Sequence, residues 1–522
     1  MKTATQKNFL TFSMKPQTTV GNKQISKLSQ LIQGFPVLNV LGTFEKEISS
    51  ITFDSRKTTP GSLFVAIHGL KQDGSRFIQE ALQRGAAGFI TELPISQLNE
   101  LGLASNGSTA ICVEDSRQAL AWVSALHYGQ PSRNMGVVGI TGTNGKTTLT
   151  YILEALYQTR GLKTGVIGTI NYRYGDFQAP ASVTTPESLD INQMLADMVG
   201  KGVKDCFLEV SSHSIALKRV HGMHFSIGIF TNLSRDHLDF HVNMEHYKNA
   251  KKGLFKDNPM EKQVINIDDP VGQEIVAETN RPTLTTGIDH PADIHAEHCV
   301  LSESGSQFVL KTPSGSRQMR TPLLGKHNIY NLLSGAAVAY FQGFSLDDIE
   351  QGLQAANRIP GRFERIDYGQ DFSVVVDYAH THEALGNALT AAMTLTSQNI
   401  IVVFGCGGDR DRGKRKEMAR VALEMSDFTI ITSDNPRTED PKRIIDDILA
   451  GVPSSARENQ DYMVAIDRRQ AIEYAVENAR TGDLVLIAGK GHEDYQILGS
   501  EKIHFDDREI AANAINQRMK RD

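Results

Sequence analysis

The sequence has few cysteines, and none are spaced to grip a metal or staple a fold. Cys112, Cys206, Cys299 and Cys406 stand far apart and form no CxxC pair, so neither a disulfide framework nor a zinc site is indicated and a reducing cytoplasm is the expected compartment. No apolar run approaches the roughly 18 residues of a membrane span, and the opening MKTATQKNFLTFSM lacks the apolar core of a secretory signal. There is no basic excess either. A net charge of −6 argues against a nucleic-acid partner, whose protein footprint is usually cationic. The expectation is a cytoplasmic chain with no nucleic acid and no membrane insertion. Its polar, Thr/Gln/Lys-rich start, residues 1–25, reads as a flexible tail, with Met14 as a second candidate start.

What is present is an ordinary globular composition, 40% hydrophobic and 22% charged over 522 residues, enough for about three domains with a core each. The most informative stretch is MGVVGITGTNGKTTLT at 135–150. The β-branched run Val137, Val138 and Ile140 stops at Thr141 in a Gly/Thr turn, and Lys146, Thr147 and Thr148 lead into the helical pattern LTYILEALYQ. Strand, turn and helix in that order make a phosphate loop, in which backbone N–H groups turn inward around an anion at a helix N-terminus. The loop comprises Gly142, Thr143, Asn144, Gly145, Lys146, Thr147 and Thr148, with Lys146 placed for the β and γ phosphates of ATP or GTP and the Thr147 hydroxyl for Mg²⁺. The spacing departs from GxxxxGK[ST], because Ile140 stands where the first glycine belongs.

Elsewhere the chain alternates short apolar strands with helical patterns, which predicts α/β domains built on parallel sheets. KLSQLIQGF reads as a short amphipathic helix, ITF and LFVAI as strands, and IQEALQRG as a helix closed by Gly85. The DSR triplet Asp54–Arg56 between those strands can hold an anion or simply form a surface salt bridge. VVGI, GVIGTI, DCFLEV, SIGIFTNLS and QVINID are the expected strands of a central sheet. Ligands in such sheets collect beyond the carboxyl ends of the strands, so the exits matter. DCFLEV ends at Glu209 before Ser211, Ser212 and His213, and GIFTNLS runs into Asp236, His237, Asp239 and His241. A carboxylate and an imidazole beside a phosphate loop can hold Mg²⁺, or can serve as helix-cap and core partners. Residues 357–362, NRIPGR, read as a linker, and beyond them SVVVD, NIIVVFGC, DFTIITS and DLVLIAG predict a second open sheet with polar, Gly-rich exits.

Four motifs in one order, TGTNGKTT at 141–148, EVSSH at 209–213, HNIYN at 327–331 and DYAHT at 377–381, make the chain resemble the Mur ligases over residues 48–510. These are ATP-dependent enzymes that form amide bonds in peptidoglycan precursor synthesis. GCGGDRD, SDNPRTEDP and AGKGHEDYQ are similar to segments of those members that add the third peptide residue, usually meso-diaminopimelate, to UDP-N-acetylmuramoyl-L-alanyl-D-glutamate. The resemblance implies a monomer of three α/β domains: UDP-binding at 26–133, a P-loop-type ATPase at 134–357 and a Rossmann-like, amino-acid-binding domain at 358–522. It implies that Ser55 contacts the uridine diphosphate end, that Thr184, Thr185, Ser211 and Arg219 contact the muramoyl dipeptide, and that Asn328 and Asp377 lie near ATP. Thr147, Glu209, His237 and a carbamylated Lys251 would hold magnesium, expected as two ions, with Lys146, Lys251 and His237 as the catalytic set. Without the resemblance Lys251 reads as an exposed helix lysine. Arg410, Asp434, Asn435, Pro436, Arg437, Gly489 and Glu493 would hold diaminopimelate, and Arg437, just past FTIIT, is the natural fork for its distal carboxylate. Two positions depart from the family's pattern: His382 where proline often follows DYAHT, and Leu217 in SIALKR. The rival readings are a lysine-adding relative, a folylpolyglutamate synthetase with the same loop, and a nucleotide switch that makes no bond.

Overall fold

In the computed structural model Val137, Val138 and Ile140 are completely buried in the strand Gly136–Thr141, as a β-branched run between two helix layers requires. The structure describes residues 25–521 except 70–71, 104–106, 303–304 and 358; Met14 and nearly all of the expected tail lie outside the described residues. The chain divides into two compact units, one ending at Tyr128 and one starting at Gly129.

In the first unit a five-stranded sheet runs Asn39–Leu41, Thr109–Cys112, Gly88–Thr91, Ser62–Val65, Ser50–Thr52, all parallel except the Asn39–Leu41 edge. The two strands expected from ITF and LFVAI are its last pair. The helix expected in KLSQLIQGF is a single turn, Leu28–Leu31, because Gly34 takes a left-handed φ of 80° and Pro36 follows. Asp115 caps the Ser116–His127 helix, accepting from the N–H groups of Arg117 and Gln118 at 2.9 Å each.

The second unit holds two large sheets. The first, of eleven strands, has a parallel middle in the order Thr164–Ile167, Asp205–Glu209, Gly136–Thr141, Phe225–Phe230, Met260–Asn266, Thr283–Gly287, Ile294–Ser302. Antiparallel strands extend both edges: Asn171–Tyr174 and Phe177–Pro180 on one side, Gly305–Thr312 and Gly315–Thr321 on the other. These escape a search for apolar runs because they have a solvated face and alternate buried with open positions. The chain order reverses at Gly136–Thr141, with Asp205–Glu209 on one side and Phe225–Phe230 on the other, so the phosphate loop sits at the topological switch point. Behind it the Lys146–Gln158 helix packs its fully buried Leu149, Ile152 and Leu156 against the small-residue helix Lys326–Phe341. Truncating any one of them to alanine should cost about 2–5 kcal/mol.

The other sheet runs Glu364–Arg365, Ser373–Asp377, Leu484–Ala488, Ile400–Cys406, Phe428–Ser433, Tyr462–Ala465, parallel throughout except for the short first strand. Its four apolar strands are those expected. The half-buried Tyr462–Ala465 edge strand was not.

Candidate active site

Gly145 opens the Lys146–Gln158 helix in a left-handed conformation, φ 90°, and a Cβ there would lie 2.3 Å from Asn331 Oδ1, so only glycine fits. Asn232, at the exit of the neighbouring strand, clamps the loop: its carbonyl accepts from Thr143 N–H at 2.9 Å and its Oδ1 from Asn144 N–H at 2.9 Å. The first helical N–H groups, at Lys146, Thr147 and Thr148, have no intrahelical acceptor and among the described residues donate to no backbone carbonyl, which leaves them to an anion. Lys146 Nζ donates to the loop's own carbonyls, Gly142 and Thr143, each at 2.8 Å. Burial pulls its pKa below the ordinary lysine value, with Glu209 opposing.

Glu209 is buried at its strand tip and accepts from the Thr147 hydroxyl at 2.9 Å, the Thr169 hydroxyl at 2.9 Å and the Thr169 N–H at 2.9 Å. Among the described residues it has no ion-pair partner within 4.0 Å. A buried carboxylate flanked by a threonine hydroxyl is a hard oxygen donor set suited to Mg²⁺, which keeps waters and takes substrate phosphates as further ligands. No group of three His, Cys, Asp or Glu side chains among the described residues forms a metal cage by itself. Lys251, read from local sequence as an exposed lysine, is 1% exposed, with Nζ donating to Gly142 O at 2.7 Å and lying 4.6 Å from the centre of the Tyr247 ring. Burial, reinforced by Lys146, drives its pKa well below the lysine range.

His237 adopts φ 56° and keeps 35% of its side chain open, 3.4 Å from Asp236. Burial holds its imidazole well below the usual pKa against the pull of Asp236, leaving the neutral form with a free lone pair. Asp236 is one point where the two large sheets meet: Lys414 Nζ stands 3.3 Å away and His380 Nε2 3.5 Å away, both from the second sheet's side. Burial pushes its carboxyl up, but Lys414 and His380 outweigh this and hold it well below the usual carboxylate range.

Thr185, Ser211 and Arg219 gather at the Glu209 tip. Thr185 Oγ1 donates to Glu209 O at 2.7 Å and to Ser211 Oγ at 3.2 Å, and Arg219 Nη1 donates to Thr185 O at 2.9 Å. Thr184 joins through Thr169, hydroxyl to hydroxyl at 3.1 Å. Ser55 belongs to the first unit, where its hydroxyl donates to Glu80 at 2.8 Å.

A cavity of about 220 Å³ opens between the phosphate loop, Glu209 and His237 on one wall and Asp377, Tyr378, His380 and Asn387 on the other, with Asn328 at its side. The Asp377 carboxylate accepts from Phe363 N–H at 2.7 Å and Ala379 N–H at 2.8 Å, and Asn328 donates to Leu324 O at 2.8 Å. The expected linker supplies a residue that the sequence reading missed. Arg362 stacks 4.2 Å from the centre of the Tyr378 ring and reaches Thr147 Oγ1 with Nη2 at 3.3 Å, while among the described residues its buried Nε has no partner. Asn232, Thr169 and Lys414 were missed too, since nothing in their local spacing marks them. A wider hollow of about 400 Å³, lined by Asp367, Ser373, Gln398 and Gly482, opens at the amino ends of the second sheet's strands, the wrong edge for a ligand in such a fold.

The residues expected around an amino acid come together at the carboxyl edge of that sheet. Asn435 Nδ2 donates to Glu493 at 2.8 Å, and Asp434 is buried beside Gly489. Burial and then Asp434 raise the pKa of Glu493, whereas Lys490 and Arg468 outweigh burial and lower that of Asp434. Arg437, at φ 53°, donates through Nη1 to Gly408 O at 2.8 Å and to Asn435 O at 3.4 Å. Pro436 is buried, its carbonyl against Gly408, and Arg410 is exposed on the adjacent loop. His382 begins the His382–Met393 helix where proline would also fit, because Thr381 supplies the cap.

Residues 47–128 match the family model described as Mur ligase family, catalytic domain, residues 140–339 the Mur ligase middle domain, and residues 361–491 the Mur ligase, glutamate ligase domain. The UDP-N-acetylmuramoyl-L-alanyl-D-glutamate--2,6-diaminopimelate ligase of Geobacillus kaustophilus (strain HTA426) is 43% identical over 499 residues, covering 94% of this chain and all of that one. A solved structure bearing the same enzyme name superposes with a TM-score of 0.67 at 30% identity, covering 95% of this chain and 99% of that one. The MurF ligase of Thermotoga maritima in complex with ADP has the same fold, with a TM-score of 0.61 at 18% identity, 90% of this chain and 98% of that one being covered. On the strength of these matches, which together span most of its length, the chain belongs to the Mur ligase family.

Proposed function

We propose that the chain is an ATP-dependent ligase that joins meso-diaminopimelate to the D-Glu γ-carboxylate of UDP-N-acetylmuramoyl-L-alanyl-D-glutamate, forming ADP and phosphate. The carrying observation is the single cavity bounded by the phosphate loop and Glu209 on one side and by Asp377, Tyr378 and Arg362 on the other. The names of the full-length relatives point to the same substrates.

A carboxylate acylates poorly, so the γ-phosphoryl group of ATP first passes to the D-Glu γ-carboxylate, giving an acyl phosphate. The amine of diaminopimelate then attacks the acyl carbon, phosphate leaves and an amide remains. Lys146 and Arg362 neutralise the migrating phosphoryl group, and the loop N–H groups hold the remaining phosphates. Thr147, Glu209, His237 and the carbamate form of Lys251 would hold Mg²⁺, which when bound offsets charge on the phosphate oxygens. Thr184, Thr185, Ser211 and Arg219 orient the dipeptide carboxylate at the Glu209 tip, and Ser55 in the first unit serves the uridine diphosphate end. Residues 26–133, 134–357 and 358–522 are the corresponding working domains. Closure of the last over the cavity keeps water from the acyl phosphate.

The test is a mass-detected assay with UDP-N-acetylmuramoyl-L-Ala-D-Glu, ATP, Mg²⁺ and competing amino acids. The expected product carries diaminopimelate, with one ADP released per bond. Product with lysine in preference, glutamate addition to a folate, or ATP hydrolysis with no product would each overturn the reading.

A further inference from the structure

Arg468 and Asp507 are fully buried, and neither belongs to the cavity described above. Each is the first residue of a helix, Arg468–Asn478 and Asp507–Met519. The preceding aspartates cap those helices, Asp467 accepting from Arg469 N–H at 2.8 Å and Asp506 from Arg508 N–H at 2.8 Å. The Arg468–Asp507 pair is therefore not spent on helix ends. It forms a two-pronged fork, Nε to Oδ1 at 2.8 Å and Nη2 to Oδ2 at 2.7 Å.

The guanidinium has two further contacts. Nη2 donates to Ala488 O at 3.0 Å and Nη1 to Ser433 O at 3.5 Å. These are the last residues of strands Leu484–Ala488 and Phe428–Ser433, which are not neighbours, since Ile400–Cys406 lies between them. One side chain thus ties two strand tips across a third. From those tips depart Asp434–Arg437 and Gly489–Glu493, the segments read here as the amine site. They touch through Asn435 and Glu493 at 2.8 Å and where a Cβ on Gly489 would lie 2.8 Å from Asp434 Oδ2, and Gln496, just beyond the second segment, donates through Nε2 to Asp434 O at 2.6 Å. A shift of one tip against the other by about 1 Å would break the 2.8 Å Asn435–Glu493 hydrogen bond. Stability alone does not call for such a pair, because well-packed apolar residues of similar volume usually serve as well or better.

We propose that Arg468, held by Asp507, is a positioning residue for the incoming amine, fixing the spacing between Asp434–Arg437 and Gly489–Glu493; this rests on the amine-site reading of those segments. The test begins by finding which amino acid the wild-type enzyme joins, and then compares KM for that amino acid, for ATP and for the UDP-linked dipeptide in Arg468→Lys and in the double variant Arg468→Met/Asp507→Leu. The expected result is a rise of about tenfold in KM for the amino acid in the double variant and a smaller rise in Arg468→Lys, which keeps the charge and loses the fork. KM for ATP and for the dipeptide should stay within about twofold, with an unfolding midpoint near that of the wild type. Should the double variant fail to fold, Arg468→Lys decides alone. A folded variant with unchanged KM for the amino acid, or with all three KM values rising together, overturns the proposal. If the wild-type enzyme uses an amino acid other than diaminopimelate, the substrate reading fails while the Arg468 comparison proceeds on the amino acid it does use.

Discussion

Lys146 and Lys251 donate to the same acceptor, the carbonyl oxygen of Gly142, at 2.8 and 2.7 Å. Two ammonium groups less than two hydrogen-bond lengths apart repel, and burial disfavours both charges, Lys251 being driven furthest. A neutral lysine amine is the form that takes up CO₂, and the resulting carbamate replaces a clashing cation with oxygen ligands beside the phosphate loop. Lys251→Ala should lose most ADP-forming activity and regain part of it with added formate or acetate. A fully active alanine variant, or an unmodified lysine in the intact mass of active enzyme, would refute the carbamate.

Lys146 packs against its own loop and contributes little to the core. Lys146→Ala should therefore abolish ATP turnover while leaving the unfolding midpoint close to that of the wild type. Near-normal turnover would sink the phosphate-loop assignment.

Arg362 lies between Tyr378 and Thr147 with a buried Nε that has no partner among the described residues, the arrangement of a group awaiting an anion. Arg362→Ala should lower kcat by roughly a hundredfold, as loss of a charge-stabilising donor does. Arg362→Lys should recover only part, since an ammonium cannot both stack on the ring and span to the phosphate. Unchanged steady-state kinetics in the alanine variant would return 357–362 to the role of linker.

Asp205 starts a buried strand, and burial pushes its carboxyl up to about 6 against a weaker opposing pull from Lys204. The unfolded chain ionises this group near pH 3.8, so its contribution is fully favourable below that pH and is lost as pH rises through about 6. Asp205→Asn should accordingly stabilise the enzyme at pH 8 by on the order of 2–3 kcal/mol and leave it nearly unchanged at pH 4. Thermal unfolding at the two pH values checks this, and equal effects at both would discredit the raised pKa.

The parallel strands were legible because burial on both faces leaves a continuous β-branched run such as Val137–Ile140, and their exits were legible because that fold class gathers ligands there. The sheet edges were not, since strands such as Gly315–Thr321 alternate buried and open residues and resemble loops in composition. Lys146 and Glu209 stood out from the local pattern of strand, loop and exit, whereas Asn435 was named only through the family resemblance. Arg362, Asn232 and Arg468 act through partners 215, 88 and 39 residues away, and no local pattern encodes such a pairing. Lys251 illustrates the same limit from the other side: Lys248 and Lys252 bind Glu274, which lies beyond the helix's own sequence, and leave Lys251 alone facing inward.

Discrimination between meso-diaminopimelate and L-lysine comes down to the distal carboxylate, which only the former carries. An ion pair that merely shapes the loop would join Arg437 to Glu439 or Asp440. Instead, Glu439 pairs with Arg415 at 2.9 Å and Arg412 at 3.0 Å, and among the described residues Arg437 forms no ion pair. Its Nη1 rests on Gly408 O, while the backbone is fixed by N–H donation to Ile497 O at 3.0 Å and by Gly499 N–H donation to its own carbonyl at 2.7 Å. A guanidinium anchored by one nitrogen, with further donors on the same rigid plane, is preorganised for a carboxylate. Losing a bidentate charged contact in a closed site should cost on the order of 3 kcal/mol, roughly a hundredfold in kcat/KM. Arg437→Ala should therefore impair diaminopimelate use by about that factor, leave KM for ATP close to normal and narrow the preference over lysine. Competition between the two amino acids, read by product mass in both proteins, checks this. An alanine variant that keeps the wild-type preference would remove Arg437 from the specificity site and leave the ligase reading standing.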